Sequence, residues 1–354
     1  MLGYHDSGVS SLKFSPNGQS LASTGPDGTV RLWFNWRRTM EPILPGSYDP
    51  VDFSPDGQAL ICHHPDGTHR RWDAASRQPL GSVDAPLYPT GLPRCRISPN
   101  MEILAMNTTN HIRLWSLREG KEVGAIKVGS TMSDKDDVRF SPRGDLIAAG
   151  VEGSFRKFSL RVWDVRSLAE VYRSEELVSA FAFSPDGRWL VIAPHAGGIK
   201  LWDLSANQLR SLDATSETAH FLDFSADGKM LAAHVLRFGT ILLVRMDTGR
   251  LDGPGLRIAS MPSIISSSVF TPDGKTFISC EEDNNITFWN LATRQAMMTV
   301  ARPGSFPFLF MAPDGNTLAV RAPASQEAIG VVELWHVPTL TEIDAPMKRR
   351  KPPD

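Results

Sequence analysis

A pentapeptide that returns eight times is the feature that most limits how this chain can fold. It reads Phe14-Ser15-Pro16-Asn17-Gly18, Phe53-Ser54-Pro55-Asp56-Gly57, Ile97-Ser98-Pro99-Asn100-Met101 and Phe140-Ser141-Pro142-Arg143-Gly144 in the first half. Phe183-Ser184-Pro185-Asp186-Gly187, Phe224-Ser225-Ala226-Asp227-Gly228, Phe270-Thr271-Pro272-Asp273-Gly274 and Met311-Ala312-Pro313-Asp314-Gly315 complete the set. Successive copies start 39, 44, 43, 43, 41, 46 and 41 residues apart. A period of this size marks a series of like units, each too small to bury its own apolar faces without neighbours. An aromatic keeps step with the pentapeptide: Trp33, Trp72, Trp115, Trp163, Trp202, Trp289 and Trp335, with Val244 in the sixth unit. Seven of the nine tryptophans therefore hold one repeat position, which makes them structural.

Within a unit the pattern is that of strands and tight turns. Val9 to Phe14 alternates as a half-buried strand does. Ser-Pro-Asp-Gly then turns the chain: proline presets φ, and glycine accepts positive φ without steric cost. Leu21-Ala22-Ser23 reads as a second strand, Pro26-Asp27-Gly28 as another hairpin and Thr29 to Trp33 as a third strand. A fourth is clearest at Arg294 to Val300. Four strands in about 42 residues predict one antiparallel sheet per unit that must stack on its neighbours.

The period, the order of elements and endings such as Leu201-Trp202-Asp203 and Val162-Trp163-Asp164 resemble the WD-repeat β-propeller family from about Tyr4 to Asp344. The Phe-Ser-Pro-Asp-Gly turn is similar to the bacterial branch of that family. The resemblance implies an all-β fold, an eight-bladed β-propeller of four-stranded antiparallel blades over residues 1–345; the run of basic residues marks 346–354 as a basic, disordered tail. It also implies a buried hydrogen-bond network in the first blade of His5, Ser23, Asp27 and Trp33. The seventh blade keeps Ser279, Asp283 and Trp289 of that pattern. Too few residues precede Val9 for an outer strand, so the last blade is expected to supply its own, around Leu340 to Ile343. The ring would then close by side-chain packing alone.

Charge and motifs bear on function. A net charge of −2 gives no global reason to expect nucleic acid or an anionic membrane as partner. The tail Lys348-Arg349-Arg350-Lys351 is too small a patch to change that expectation. Three cysteines, Cys62, Cys95 and Cys280, make a poor disulfide framework, and no leader-like or membrane-spanning apolar run is visible. The expected location is the cytoplasm. Cys62-His63-His64 cannot easily converge on one ion, because successive strand residues face opposite ways, so no metal is expected. Neither a Gly-x-Ser-x-Gly elbow nor a phosphate loop occurs. The residue types found in register are structural, so no catalytic residues, axial ligand cluster or cofactor are expected.

The expected role is a non-enzymatic scaffold binding other proteins or peptides on the rim and central-channel face. The alternatives are a ligand-binding or enzymatic propeller, or the sensor part of a larger signalling protein. The fourth and eighth units carry insertions around Glu152 to Phe158 and Arg321 to Glu327, expected to bulge from their second hairpins. Phe155, Arg156 and Phe158 are the candidate partner-binding residues, because aromatics and arginine anchor interfaces. Tyr48 and Tyr88, assigned to links between units, are secondary candidates.

Overall fold

The computed structural model describes residues 3–5, 11–16, 20–24, 29–34, 44–45, 48–53, 59–63, 69–73, 78–83, 94–100, 102–108, 110–128, 138–154, 157–212, 215–235, 240–257, 265–281, 285–301, 308–311, 317–322 and 330–336. Among them the only regular elements are β-strands. The third unit shows the plan. Arg94–Ile97, Ile103–Asn107, His111–Ser116 and Lys121–Lys127 pair antiparallel in sequence order, as the alternation of each segment dictates. Its second strand is buried at three consecutive residues, Leu104, Ala105 and Met106. A strand apolar on both faces must be covered on both.

Neighbouring units provide that cover. Ala105, Ile112 and Leu114 of the third unit pack with Ile147, Ala149 and Trp163 of the fourth. Val191 and Leu201 of the fifth meet Leu222, Leu231 and Val244 of the sixth. Trp202 sits with Leu160 and Val162, and Trp289 with Leu243 and Leu256. These tryptophans lie between adjacent units, at 3 to 5% exposure, as repeat residues filling a seam should. The first strands of successive units also touch one another, and Phe308–Met311 touches Ser11–Phe14.

Closure differs from the expectation. Gly3–His5 pairs antiparallel with Gly330–His336, Tyr4 opposite Val331 and Gly3 opposite Val332. The outer place in the last sheet is thus filled from the start of the chain, and the ring is fastened by backbone hydrogen bonds. Three residues suffice, because an outer strand needs only to satisfy one exposed edge. Leu340 to Ile343 and the basic tail lie outside the described residues.

Two further departures concern the fourth unit. Glu170–Phe183 runs unbroken for 14 residues. Its first half pairs with Lys157–Asp164 and its second with Trp189–Pro194, so that two units share one seven-stranded sheet. Val178 sits opposite both Phe158 and Pro194. The segment contains no glycine or proline, so nothing ends the strand where other units have a link. The insertion, expected as a bulging loop, instead lengthens the strands. Leu146–Ser154 and Lys157–Asp164 pair up to Ser154 opposite Lys157, with the extra residues absorbed in a register shift after Val151.

Candidate binding site at the inner-strand turns

The pentapeptide turns are wired alike. Ser98, Ser141, Ser184, Ser225 and Thr271 are buried, and each hydroxyl accepts the backbone N–H five residues on, at 2.9 to 3.0 Å. Each also donates to a side-chain oxygen: Asn100, Asp186, Asp227 and Asp273 at 2.5 to 2.7 Å. In the fourth unit Arg143 stands where the others have Asp or Asn, and Asp145 takes over as acceptor at 2.6 Å. Gly187, at φ 69°, closes one such turn by donating to the Ser184 carbonyl at 2.9 Å. A side chain that both donates and accepts locally fixes the loop without help from solvent.

These rigid turns frame an open concavity of about 420 Å³. Its apolar wall is the repeat itself, Phe140, Phe183 and Phe224 with Pro99, Pro142 and Pro185. Its polar members are Arg139 and Asp223. Both occupy the position just before the pentapeptide. Across the units that position reads Lys13, Asp52, Arg96, Arg139, Ala182, Asp223, Val269 and Phe310. Lys13, Arg96 and Arg139 are exposed, while the preceding residues Leu12, Val138 and Leu222 are buried, as strand alternation requires. Charged residues therefore do stand in register around the inner strands, contrary to the expectation that only structural types would. The pentapeptide drew attention to itself and away from its neighbour.

Arg139 is held in place. Its Nη1 donates to the Phe181 carbonyl at 3.2 Å, and the guanidinium lies 5.2 Å from the centre of the Phe181 ring. Asp223 reaches the mouth but is walled by protein, and desolvation pushes its carboxyl up to about 7, against the pull of the Phe224 amide and Arg139.

A second concavity, of about 530 Å³, opens between the fifth and sixth units. There the Trp189 ring lies beside two guanidinium groups, Arg188 at 4.5 Å and Arg210 at 5.3 Å. Arg188 pairs with Asp203 at 3.2 Å. The Asp203 carboxyl is held down at about 2, chiefly by the Ser205 hydroxyl and the Ala206 amide. Both concavities include pentapeptide turns, so they lie at the strand ends opposite the second hairpins.

The candidates chosen from sequence fall elsewhere. Phe155, Arg156 and Tyr88 lie outside the described residues, as does Asp27. Phe158 is half-buried and packs edge-on against Phe181, ring centres 6.1 Å apart, so it serves the seam between the fourth and fifth units. Tyr48 opens the inner strand Tyr48–Phe53 opposite His63, which corrects its assignment to a link; the alternation reaches further back than the sequence pattern suggested. Of the first-unit network, Ser23 is fully buried, while nothing is described of the His5 and Trp33 side chains. The Trp–Ser contact implied by the resemblance is present in the seventh unit, where Trp289 Nε1 donates to Ser279 at 2.9 Å. Trp202, with no such serine, donates to Asn207 at 3.1 Å.

Comparison with known proteins gives this architecture a context. The WD domain, G-beta repeat (WD40) model matches residues 2–33, 167–203 and 258–290. The U3 small nucleolar RNA-associated protein 21 homolog of Schizosaccharomyces pombe is 26% identical over 163 residues, 45% of this chain and 17% of that protein. The target of rapamycin complex subunit wat1 of the same organism is 22% identical over 212 residues, 58% of this chain and 66% of that protein. An uncharacterized WD repeat-containing protein of Synechocystis sp. is 29% identical over 147 residues, 40% of each. The chain thus spans less than two thirds of the length of these relatives. Among solved structures, the C-terminal WD40 domain of Sif2 superposes with a TM-score of 0.70 at 14% identity, covering 96% of this chain and 98% of that one. The computationally designed protein Ika8 gives 0.68 at 19%, covering 95% and 98%.

Proposed function

From three matched WD40 repeats and a fold shared with a solved WD40 domain, we propose that the chain is a ring of eight four-stranded blades acting as a non-enzymatic platform for other proteins. Eight pentapeptides and the circular contacts of the inner strands support the count, with the seven-stranded sheet taken as two blades that share a strand. The observation that carries the functional reading is the open mouth of Phe, Pro, Arg and Asp side chains on internally wired turns. Such a site pairs a rigid frame with a mixed apolar and charged surface, the combination that binding loops use. One relative is named as a subunit of a complex, which agrees with a scaffold. Others are named for a small nucleolar RNA and for telomerase, so the choice of protein over nucleic acid belongs to this reading. The cytoplasm is its proposed location, and Phe155 and Arg156 its proposed rim anchors.

Cross-linking in the native cell, followed by capture before and after nuclease treatment, tests this. A platform retains defined protein partners in constant ratio after nuclease, and Phe155→Ala with Arg156→Ala weakens a rim-bound partner by ~2 kcal/mol or more at unchanged melting temperature. Loss of every partner on nuclease treatment overturns the protein reading; unchanged affinity of every partner for the double variant overturns the rim anchors.

A further inference from the structure

The inner-strand position before the pentapeptide is charged in five of the eight units, as Lys13, Asp52, Arg96, Arg139 and Asp223. Lys13, Arg96 and Arg139 are exposed there, on strands that follow one another around the ring: Ser11–Phe14 touches Tyr48–Phe53, which touches Arg94–Ile97, which touches Arg139–Phe140. Beside them lies the cup of Phe140, Phe183 and Phe224 with three prolines, roomy enough for an aliphatic side chain and its backbone. Arg139 is oriented by the Phe181 carbonyl, so little side-chain freedom remains to be lost when a ligand arrives. A guanidinium set in a partly apolar wall binds a carboxylate more strongly than one in open water.

We infer that this mouth captures an acidic segment of a partner, a carboxylate resting on the Arg139–Arg96 side and an adjacent apolar side chain entering the Phe/Pro cup. The inference rests on the platform reading and adds the chemistry of the partner. Asp223 gives the mouth a pH dependence. It is neutral below about 7 and anionic above, so a rise through that value opposes an acidic ligand. Arg139 is the charge that acts on Asp223. Of the strands around it, the near half of Glu170–Phe183 and all of Ile265–Phe270 carry no ionisable side chain, and Glu176, further along the former, pairs with Lys200. His220 on its own strand and the buried His234 on the paired strand are the other titratable groups, and the Asn variant separates Asp223 from them.

The test measures anisotropy of a fluorescein-labelled peptide centred on Glu-Leu-Glu, with Gln-Leu-Gln and Lys-Leu-Lys counterparts and a labelled oligodeoxythymidine. Wild type is expected to prefer the acidic peptide by roughly tenfold, the scale of one well-placed charged contact. Arg139→Gln, with its unfolding transition unchanged, loses that preference. Asp223→Asn holds it at both pH 6 and pH 8, whereas wild type weakens at the higher pH. Equal binding of the three peptides, preference for the oligonucleotide, or an Arg139→Gln variant that binds like wild type overturns the inference. Should the acidic peptide fail while partners are still captured from cells, the acidic-segment inference falls and the platform reading stands.

Discussion

At the scale of single residues, the informative position is the serine of the pentapeptide. Ser184 is wholly buried, donates to Asp186 and accepts the Trp189 amide at 2.9 Å. Removing the hydroxyl leaves that amide without its acceptor, and an unpaired buried N–H costs about 1–3 kcal/mol. Ser184→Ala is therefore expected to lower stability by about that amount in chemical denaturation, and Ser184→Thr to restore most of it, since Thr271 holds the same place at 4% exposure. The turn was legible in sequence as Pro and Gly conformational preferences; the hydroxyl wiring was not, because composition does not say which local acceptor a buried hydroxyl chooses. Asp145 shows this well. It replaces the missing acid of Arg143 from two positions further on, which no alignment of pentapeptides reveals. The charged mouth was equally present in the sequence, one residue before five of the eight repeats, but reading it requires knowing that the preceding residue is buried.

At the scale of elements, strands and their order followed from alternation and turn residues, and the tryptophan seams followed from the repeat. What failed was the handling of chain segments that lack punctuation. The residues ahead of Val9 looked too few for an outer strand, yet Gly3–His5 completes the last sheet because its partner edge is already formed. Deleting residues 1–6 is expected to reduce stability by about 2–3 kcal/mol, for a short run of edge hydrogen bonds at about 1 kcal/mol net each. It also uncovers the Gly330–His336 edge, so sedimentation should reveal dimers or larger species. A monomer of unchanged stability would mean that the pairing carries no weight. The fourth-unit insertion misled for a related reason: length alone cannot distinguish a bulging loop from two longer strands.

At the scale of the whole molecule, the other seams among the described residues are held by side chains meeting across a gap between sheets, but the fourth and fifth units share Glu170–Phe183 and are joined through the backbone. Native-state hydrogen exchange should find Leu160 to Trp163 and Val191 to Leu201 opening with one free energy. Inserting two glycines after Glu176 should separate them, and separate openings in the unaltered protein would refute the coupling. The other fastening joins residues more than 300 positions apart in the chain. As the polypeptide leaves the ribosome, Gly3–His5 has nothing to join until Gly330–His336 has emerged. Assembly over that stretch therefore proceeds around an open arc with a waiting edge, and fastening follows the synthesis of residues 330–336. That interval is when the nascent chain stands most exposed to pairing with a stranger.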